Sequence, residues 1–238
     1  MSIELKNVNH NYGSFKALDD LSATFESGKI TMILGPNGCG KTTLLKYLIN
    51  SSDSGVFDGS MAYVPQETTG SLNMTVRDVL SLGRYDKSKF YFRETAKDRE
   101  IIDSAIAEFG LESFVDRNID TLSAGEKQRV FIARAIVQQA DWTLLDEPTA
   151  NLDVKYADKL LRIIKAHRDE GKSFIMVVHD INLASLHADN ILLMKSGKRI
   201  EQGVPAKALT LESLKTAYDI DFLSAEIDGR EIFVSSIK

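Results

Sequence analysis

Eight residues carry the most specific chemistry in the chain: Gly35-Pro36-Asn37-Gly38-Cys39-Gly40-Lys41-Thr42. They match the pattern G-x-x-x-x-G-K-[ST] of a phosphate-cradling loop. Glycines let the backbone curl so that its N–H groups face inward, where they can hold phosphate oxygens. A helix N-terminus adds a partial positive charge at the same place. Lys41 can reach β- and γ-phosphates, the Thr42 hydroxyl can ligate Mg²⁺, and Thr43 follows at the helix start. Cys39 reads as a small filler among the phosphate-facing amides, since no base stands near it in the sequence. The alternative is a chance glycine-rich turn.

A second set is the acidic pair Asp146-Glu147, which ends the apolar run Trp142-Thr143-Leu144-Leu145. Successive strand residues point to opposite sides, so the two carboxylates can do different work. Asp146 suits the Mg²⁺ side. Glu147 suits a general base on the attacking water. Alone, such a pair would also fit a helix cap or a solvated turn. A third set is Leu122-Ser123-Ala124-Gly125-Glu126, opening a helix that continues through Val137. Ser123 and Glu126 have capping-box spacing. The same helix start could also present N–H groups and the Ser123 hydroxyl to a phosphate, with Gly125 keeping the approach clear of a Cβ.

These residues need a scaffold, and the pattern supplies one. Ile30-Thr31-Met32-Ile33-Leu34 and Phe174-Ile175-Met176-Val177-Val178 are continuous apolar runs, as is the segment before Asp146. Such runs suit strands buried on both faces of a parallel sheet. Leu21, Ala23 and Phe25 alternate as a strand with one buried face. Ile101 to Phe109 and Leu160 to His167 recur at helix spacing, with Gly110 and Gly171 as stops. Strands alternating with helices predict an α/β fold. The stretch from Thr75 to Asp120 reads as an inserted helical subdomain. Ile191–Met194 and Arg199–Gln202 flank a Ser196-Gly197 turn, and Ala225–Ile227 and Ile232–Val234 flank Asp228-Gly229; both read as hairpins.

The chain has 238 residues, 29 Lys plus Arg against 34 Asp plus Glu, and a net charge of −5. That balance argues against nucleic acid as the main partner. At 43% hydrophobic and 26% charged, the composition is globular. No apolar run approaches the ~20 residues that span a bilayer, and the charged N-terminus is not a secretory signal. Cys39, the single cysteine, has no internal disulfide partner. The expectation is a soluble intracellular chain.

In this order, the phosphate loop, Leu-Ser-Ala-Gly-Glu, and Leu-Leu-Asp-Glu-Pro-Thr-Ala-Asn-Leu-Asp resemble an ABC-type ATPase subunit over nearly the whole chain, from Tyr12 to about Gly203. The resemblance implies a phosphate-loop NTPase core with an antiparallel β segment: core 1–73 and 121–205, helical subdomain 74–120, C-terminal helix and hairpin 206–238. It implies a homodimer that sandwiches ATP head to tail, with Ser123, Gly125, Glu126 and Asp153 completing the partner's site. Asp153 would equally serve as a helix N-cap. By the same resemblance Tyr12 stacks on adenine, although a lone Tyr is otherwise a packing residue. Gln66 senses Mg²⁺, the water and the transmembrane partner. His179 touches the γ-phosphate, where a lone His would ordinarily be a polar strand terminus.

Three departures stand out. Ala124 replaces the usual first glycine of the signature and Glu126 the usual Gln. Lys41 to Gln66 spans only 25 residues, so the antiparallel β segment between them is expected to be truncated.

Val79-Leu80-Ser81-Leu82-Gly83-Arg84-Tyr85 resembles the iron-chelate and vitamin B12 uptake subgroup. Val178-His179-Asp180-Ile181-Asn182-Leu183-Ala184 and Tyr218-Asp219-Ile220 are similar to its iron–siderophore members. This implies an importer subunit on the cytoplasmic face of the membrane, working with integral permease subunits and an extracytoplasmic binding protein; export is the alternative direction that the residues alone leave open. Heme, vitamin B12, a metal or an oxyanion are alternative cargoes. A non-transport ABC ATPase is a further alternative, against which stand the net negative charge and the lack of a long coiled coil or a second fused ATPase domain in this sequence. A small-molecule kinase has no use for the Ser123–Glu126 signature.

Overall fold

The structure, a computed structural model, describes residues 2–53, 57, 59–66, 71–85, 94–227 and 230–236. A six-stranded sheet forms its centre, in the order β4(Met61–Val64)-β5(Trp142–Asp146)-β6(Ser173–Val177)-β3(Ile30–Leu34)-β7(Asn190–Lys195)-β8(Lys198–Gly203). All neighbours run parallel except β7 and β8, which form the expected hairpin. Strands β3, β5 and β6 are buried at every residue, as a two-sided layer requires.

Alternate strand residues feed two cores. On one face Ile33, Leu144, Ile175, Val177 and Leu192 pack with Leu44, Leu45 and Leu48 of α1(Lys41–Asp53). The antiparallel pair β1(Ser2–Tyr12) and β2(Phe15–Glu26) covers that face through Ile3, Leu5, Leu21, Ala23 and Phe25. On the other face Met32, Leu145, Phe174 and Met176 meet α4(Ala124–Val137) and α5(Val154–Asp169). The same core extends into α2(Val76–Leu82) and α3(Ala96–Phe109), which pack on α4.

Strand β1 has no counterpart in the sequence reading. Its pairing with β2 shifts register between Leu5 and Val8 and twice more, so the apolar alternation is broken. The antiparallel segment also lies elsewhere than expected. Between Lys41 and Gln66 the described residues form α1 and then the parallel strand β4; the antiparallel pair precedes the phosphate loop. Thus the short Lys41–Gln66 interval carries a helix and a core strand.

From Thr75 to Asp120 the described residues are helical, with two single 3-10 turns and one isolated bridge between Thr75 and Asn118; residues 86–93 lie outside them. Short helices α6(Ile181–His187), α7(Pro205–Ala208) and α8(Leu211–Tyr218) lead to the hairpin β9(Phe222–Ile227)–β10(Arg230–Ser235). The Asp228-Gly229 turn of that hairpin is outside the described residues. Gly110 ends α3 at φ 65°, as its position after Phe109 suggests.

One polar contact ties α3 to α5. His167 Nε2 lies 3.2 Å from Glu108 Oε2, with Glu170 3.6 Å from the other ring nitrogen. The Glu108 contact raises the His167 pKa against the opposing effects of burial and Lys172. A raised folded pKa means that the stabilisation is present below the unfolded value and fades as pH rises through the folded one. Wild type should therefore exceed His167→Gln by about 0.5–1.5 kcal/mol between about pH 5 and 6.5, with the gap closing above that window. Denaturant midpoints across pH check this; a gap that widens with pH would remove the protonated contact.

Candidate functional site

Because the central strands are parallel, their C-terminal ends share one edge of the sheet. Register aligns Val64 with Leu145, Asp146 with Val177, and Ile33 with Val177. Gly35 follows β3, Gln66 lies two residues past β4, Asp146 and Glu147 end β5, and His179 lies two past β6. Open parallel sheets bind ligands at this edge.

The phosphate loop turns from β3 into α1. Gly35 adopts φ 147°, and a Cβ there would stand 2.2 Å from the Met194 carbonyl oxygen; a Cβ on Gly40 would stand 2.3 Å from that of Ala17. Backbone from other strands therefore presses on both glycines, which fixes their identity without reference to ligand. Helix α1 has no acidic residue in its first turn, so its positive end is unopposed. Lys41 is buried and donates to the Gly35 and Pro36 carbonyl oxygens at 2.7 and 3.0 Å. Cys39 is buried, and burial pushes its thiol up, as suits a filler rather than a nucleophile.

Asn37, Gly38, Gly40, Lys41, Thr42 and Thr43 open onto a cleft of about 480 Å³, together with Gln66, Glu147 and His179. Tyr12 closes one end, and so does Phe15, which the sequence reading missed. The two rings flank the turn joining β1 and β2 and are 54% and 58% exposed, leaving an aromatic platform open to a flat ligand. The sequence signal for Phe15 was its place opposite Tyr12 across the Gly13-Ser14 turn.

Three residues from three strand ends converge. Gln66 Nε2 donates to Glu147 Oε2 at 2.7 Å, and His179 Nε2 lies 2.6 Å from Glu147 Oε1. Glu147 itself sits at φ 51°, a left-handed conformation that a glutamate adopts at a cost of order 1 kcal/mol or more. That turn aims its carboxylate along the cleft, away from the line of β5.

Asp146 is 1% exposed, and neither carboxylate oxygen accepts a hydrogen bond. Burial pushes its pKa up; the Thr42 hydroxyl stands close enough to pull it down without completing a bond. Tyr63, a second residue missed in the sequence, also has a buried hydroxyl without a partner; burial and Asp146 push it up to about 12. A buried, unbonded carboxylate beside a hydroxyl fits a hard divalent cation such as Mg²⁺. Among the described residues no cluster of three or more metal-ligating side chains exists, so such an ion needs further oxygens from its ligand.

The Ser123 helix start is built as expected. The Ser123 hydroxyl accepts from the Glu126 N–H, and the Glu126 carboxylate accepts from the Ser123 N–H and hydroxyl, both at 2.7 Å. Asp153 caps α5 through the Tyr156 N–H. These four residues do not line the cleft of their own chain. Gly125 has a further, local reason to be glycine: a Cβ would stand 2.6 Å from the Asn151 carbonyl oxygen. The absent side chain seats this helix on the loop before Asp153, so a bulky residue at Gly125 would disturb packing whatever faces it.

Comparison with known proteins adds independent support. The chain is 34% identical to the petrobactin import ATP-binding protein of Bacillus subtilis, over 98% of each chain. It is 35% identical to the hemin import ATP-binding protein of Deinococcus radiodurans, over 93% of this chain and 92% of that one. Among solved structures it is similar to an inward-facing ABC transporter described as of metal-chelate type (25% identity, TM-score 0.83, 98% and 96% covered). It also resembles a dimeric bacterial ABC transporter cassette (25% identity, TM-score 0.75, 86% and 99% covered). The ABC transporter family profile matches residues 18–150. That span holds the phosphate loop, the Ser123 helix and the acidic pair together, and the chain belongs to the ABC transporter family.

Proposed function

We propose that this chain is the ATP-binding subunit of an importer for an iron chelate of siderophore type. It hydrolyses ATP as a homodimer beneath integral permease subunits, on the cytoplasmic face of the membrane, with an extracytoplasmic binding protein delivering the chelate. The observation that carries the ATPase reading is the Glu147 carboxylate, held between Gln66 and His179 across from the phosphate loop. The cargo class is supported by relatives named for petrobactin and iron(3+)-hydroxamate import. Other relatives, named for hemin and cobalamin, mark the alternative cargoes.

Each residue has a separable task. The α1 N-terminus and the loop amides receive the phosphates. Lys41, now folded on the Gly35 and Pro36 carbonyls, exchanges those oxygens for phosphate oxygens. Tyr12 and Phe15 offer faces to the base. Asp146 and Thr42, with Gln66 near, would hold Mg²⁺, which would supply charge neutralisation on the phosphates. Glu147 releases one of its two held oxygens to take the proton of the attacking water. Ser123 and its helix start reach the γ-phosphate of the partner's nucleotide. Asp153 flanks that contact. Closure is a population shift, since ATP binds the joined state more tightly than the open one.

Glu147→Gln is expected to bind ATP and to lose about 10²-fold or more in hydrolysis, accumulating as ATP-bound dimers by light scattering. Normal turnover would remove Glu147 from the role of base. Asp146→Asn removes an unbonded buried charge, so the nucleotide-free chain should gain about 1 kcal/mol in unfolding free energy while ATP affinity loses its Mg²⁺ dependence. Titrations with and without Mg²⁺ check the second half.

Ser123→Asp keeps a capping side chain but sets negative charge where phosphate would arrive. It should fold within about 1 kcal/mol of wild type, bind ATP as a monomer and fail to dimerise. ATP-driven dimers of that variant would confine Ser123 to capping. For cargo, cells lacking the chain should fail to grow on iron supplied only as a siderophore chelate, with rescue by wild type and not by Glu147→Gln. Undiminished growth would reassign the cargo.

A further inference from the structure

Helix α8 packs against β7, the strand whose Met194 carbonyl backs Gly35 of the phosphate loop. Its position is fixed from two sides. Lys195, at the end of β7, donates to the Thr216 carbonyl oxygen at 2.7 Å and to the Asp219 carboxylate at 2.6 Å. The Tyr218 ring meets Phe222 edge to face, centroids 5.9 Å apart. The preceding residue of β7, Met194, presents its carbonyl oxygen where a Cβ of Gly35 would be. Gly35 is therefore backed by β7, and β7 in turn holds the end of α8.

The Tyr218 hydroxyl is buried and has no completed hydrogen bond. Burial pushes the phenol up to about 12; the Gly35 N–H beside it draws it down, and Cys39 of the same loop adds to the rise. The other side of the same residue, the Gly35 carbonyl, holds the Lys41 ammonium. One glycine thus joins the buried phenol to the lysine that must leave for phosphate. A buried hydroxyl left unbonded is costly, and completing its bond recovers that cost.

We infer that Tyr218 is a positioning residue for the phosphate loop, its hydroxyl taking the Gly35 N–H when nucleotide draws the loop closed. The C-terminal helix then contributes to nucleotide affinity without touching nucleotide. The inference rests on the loop being a nucleotide site.

The test is Tyr218→Phe in the full chain, with ATP and ADP as probes. Binding of both nucleotides should weaken about five- to tenfold, the loss of about one hydrogen bond. The apparent KM for ATP should rise alike, with kcat held within twofold and the nucleotide-free unfolding midpoint no lower than wild type, since the variant loses a buried hydroxyl that had no partner. Phe222→Leu, which loses the ring contact and keeps the hydroxyl, should retain wild-type affinity. At saturating ADP the Gly35 amide proton should move further downfield in wild type than in Tyr218→Phe, the difference reporting the added bond to the hydroxyl.

Unchanged affinity of Tyr218→Phe for both nucleotides overturns the inference. So does a fall in affinity matched by a fall in the nucleotide-free midpoint, which would make Tyr218 a packing residue. If wild type binds neither nucleotide, the phosphate-loop reading itself fails and takes this one with it.

Discussion

An ionisable carboxylate kept dry and unbonded at the end of a strand is the constraint on which this site depends. Asp146 is buried beside Thr42 and Tyr63, with neither oxygen satisfied. A folded chain tolerates such a group only where the surrounding packing over-determines it. Here the packing is the parallel sheet: β5 is flanked by β4 and β6, buried throughout, and sealed on both faces. The stability of those two cores holds a charge ready for a cation. The strained backbone at Glu147, one residue later, is held by the same strand and by its N–H bond to the Val177 carbonyl.

The single chain supplies an incomplete site. Its cleft has a phosphate-binding floor, an aromatic end and a carboxylate held by two neighbours. The Ser123 helix start sits outside that cleft, its own cap satisfied, with Gly125 fitted against Asn151. This is the arrangement expected if catalysis requires a second copy: one chain binds, and turnover waits for the other.

Much of this was legible in the residues. The phosphate loop, the acidic pair and the Ser123 box follow fixed spacings, and the apolar runs Ile30–Leu34 and Phe174–Val177 name their strands directly. What was not legible depended on backbone contacts distant in sequence. Strand β1 is hidden because its bulges break the period. The fit of Gly125 against the Asn151 carbonyl, a second reason for glycine there, left no mark in the sequence. Phe15 and Tyr63 carry no motif; only the turn between β1 and β2 and the burial beside Asp146 give them meaning. Gln66 and His179 were picked out by family resemblance, and their convergence on Glu147 emerges only in the fold, because nothing in spacing alone brings those three strand ends together.

The Ser196-Gly197 turn, a minor hairpin detail, has a consequence for how the protein is made. The Gly197 N–H donates to the Cys39 carbonyl, and its own carbonyl accepts from the Asp19 N–H. The loop is thus stitched to residues 158 positions downstream, and its strand β3 lies between two late strands, β6 and β7. As the chain leaves the ribosome, the phosphate loop emerges early yet lacks its backing until nearly the whole polypeptide has been translated. A nascent fragment therefore carries the motif long before the strands that back it exist.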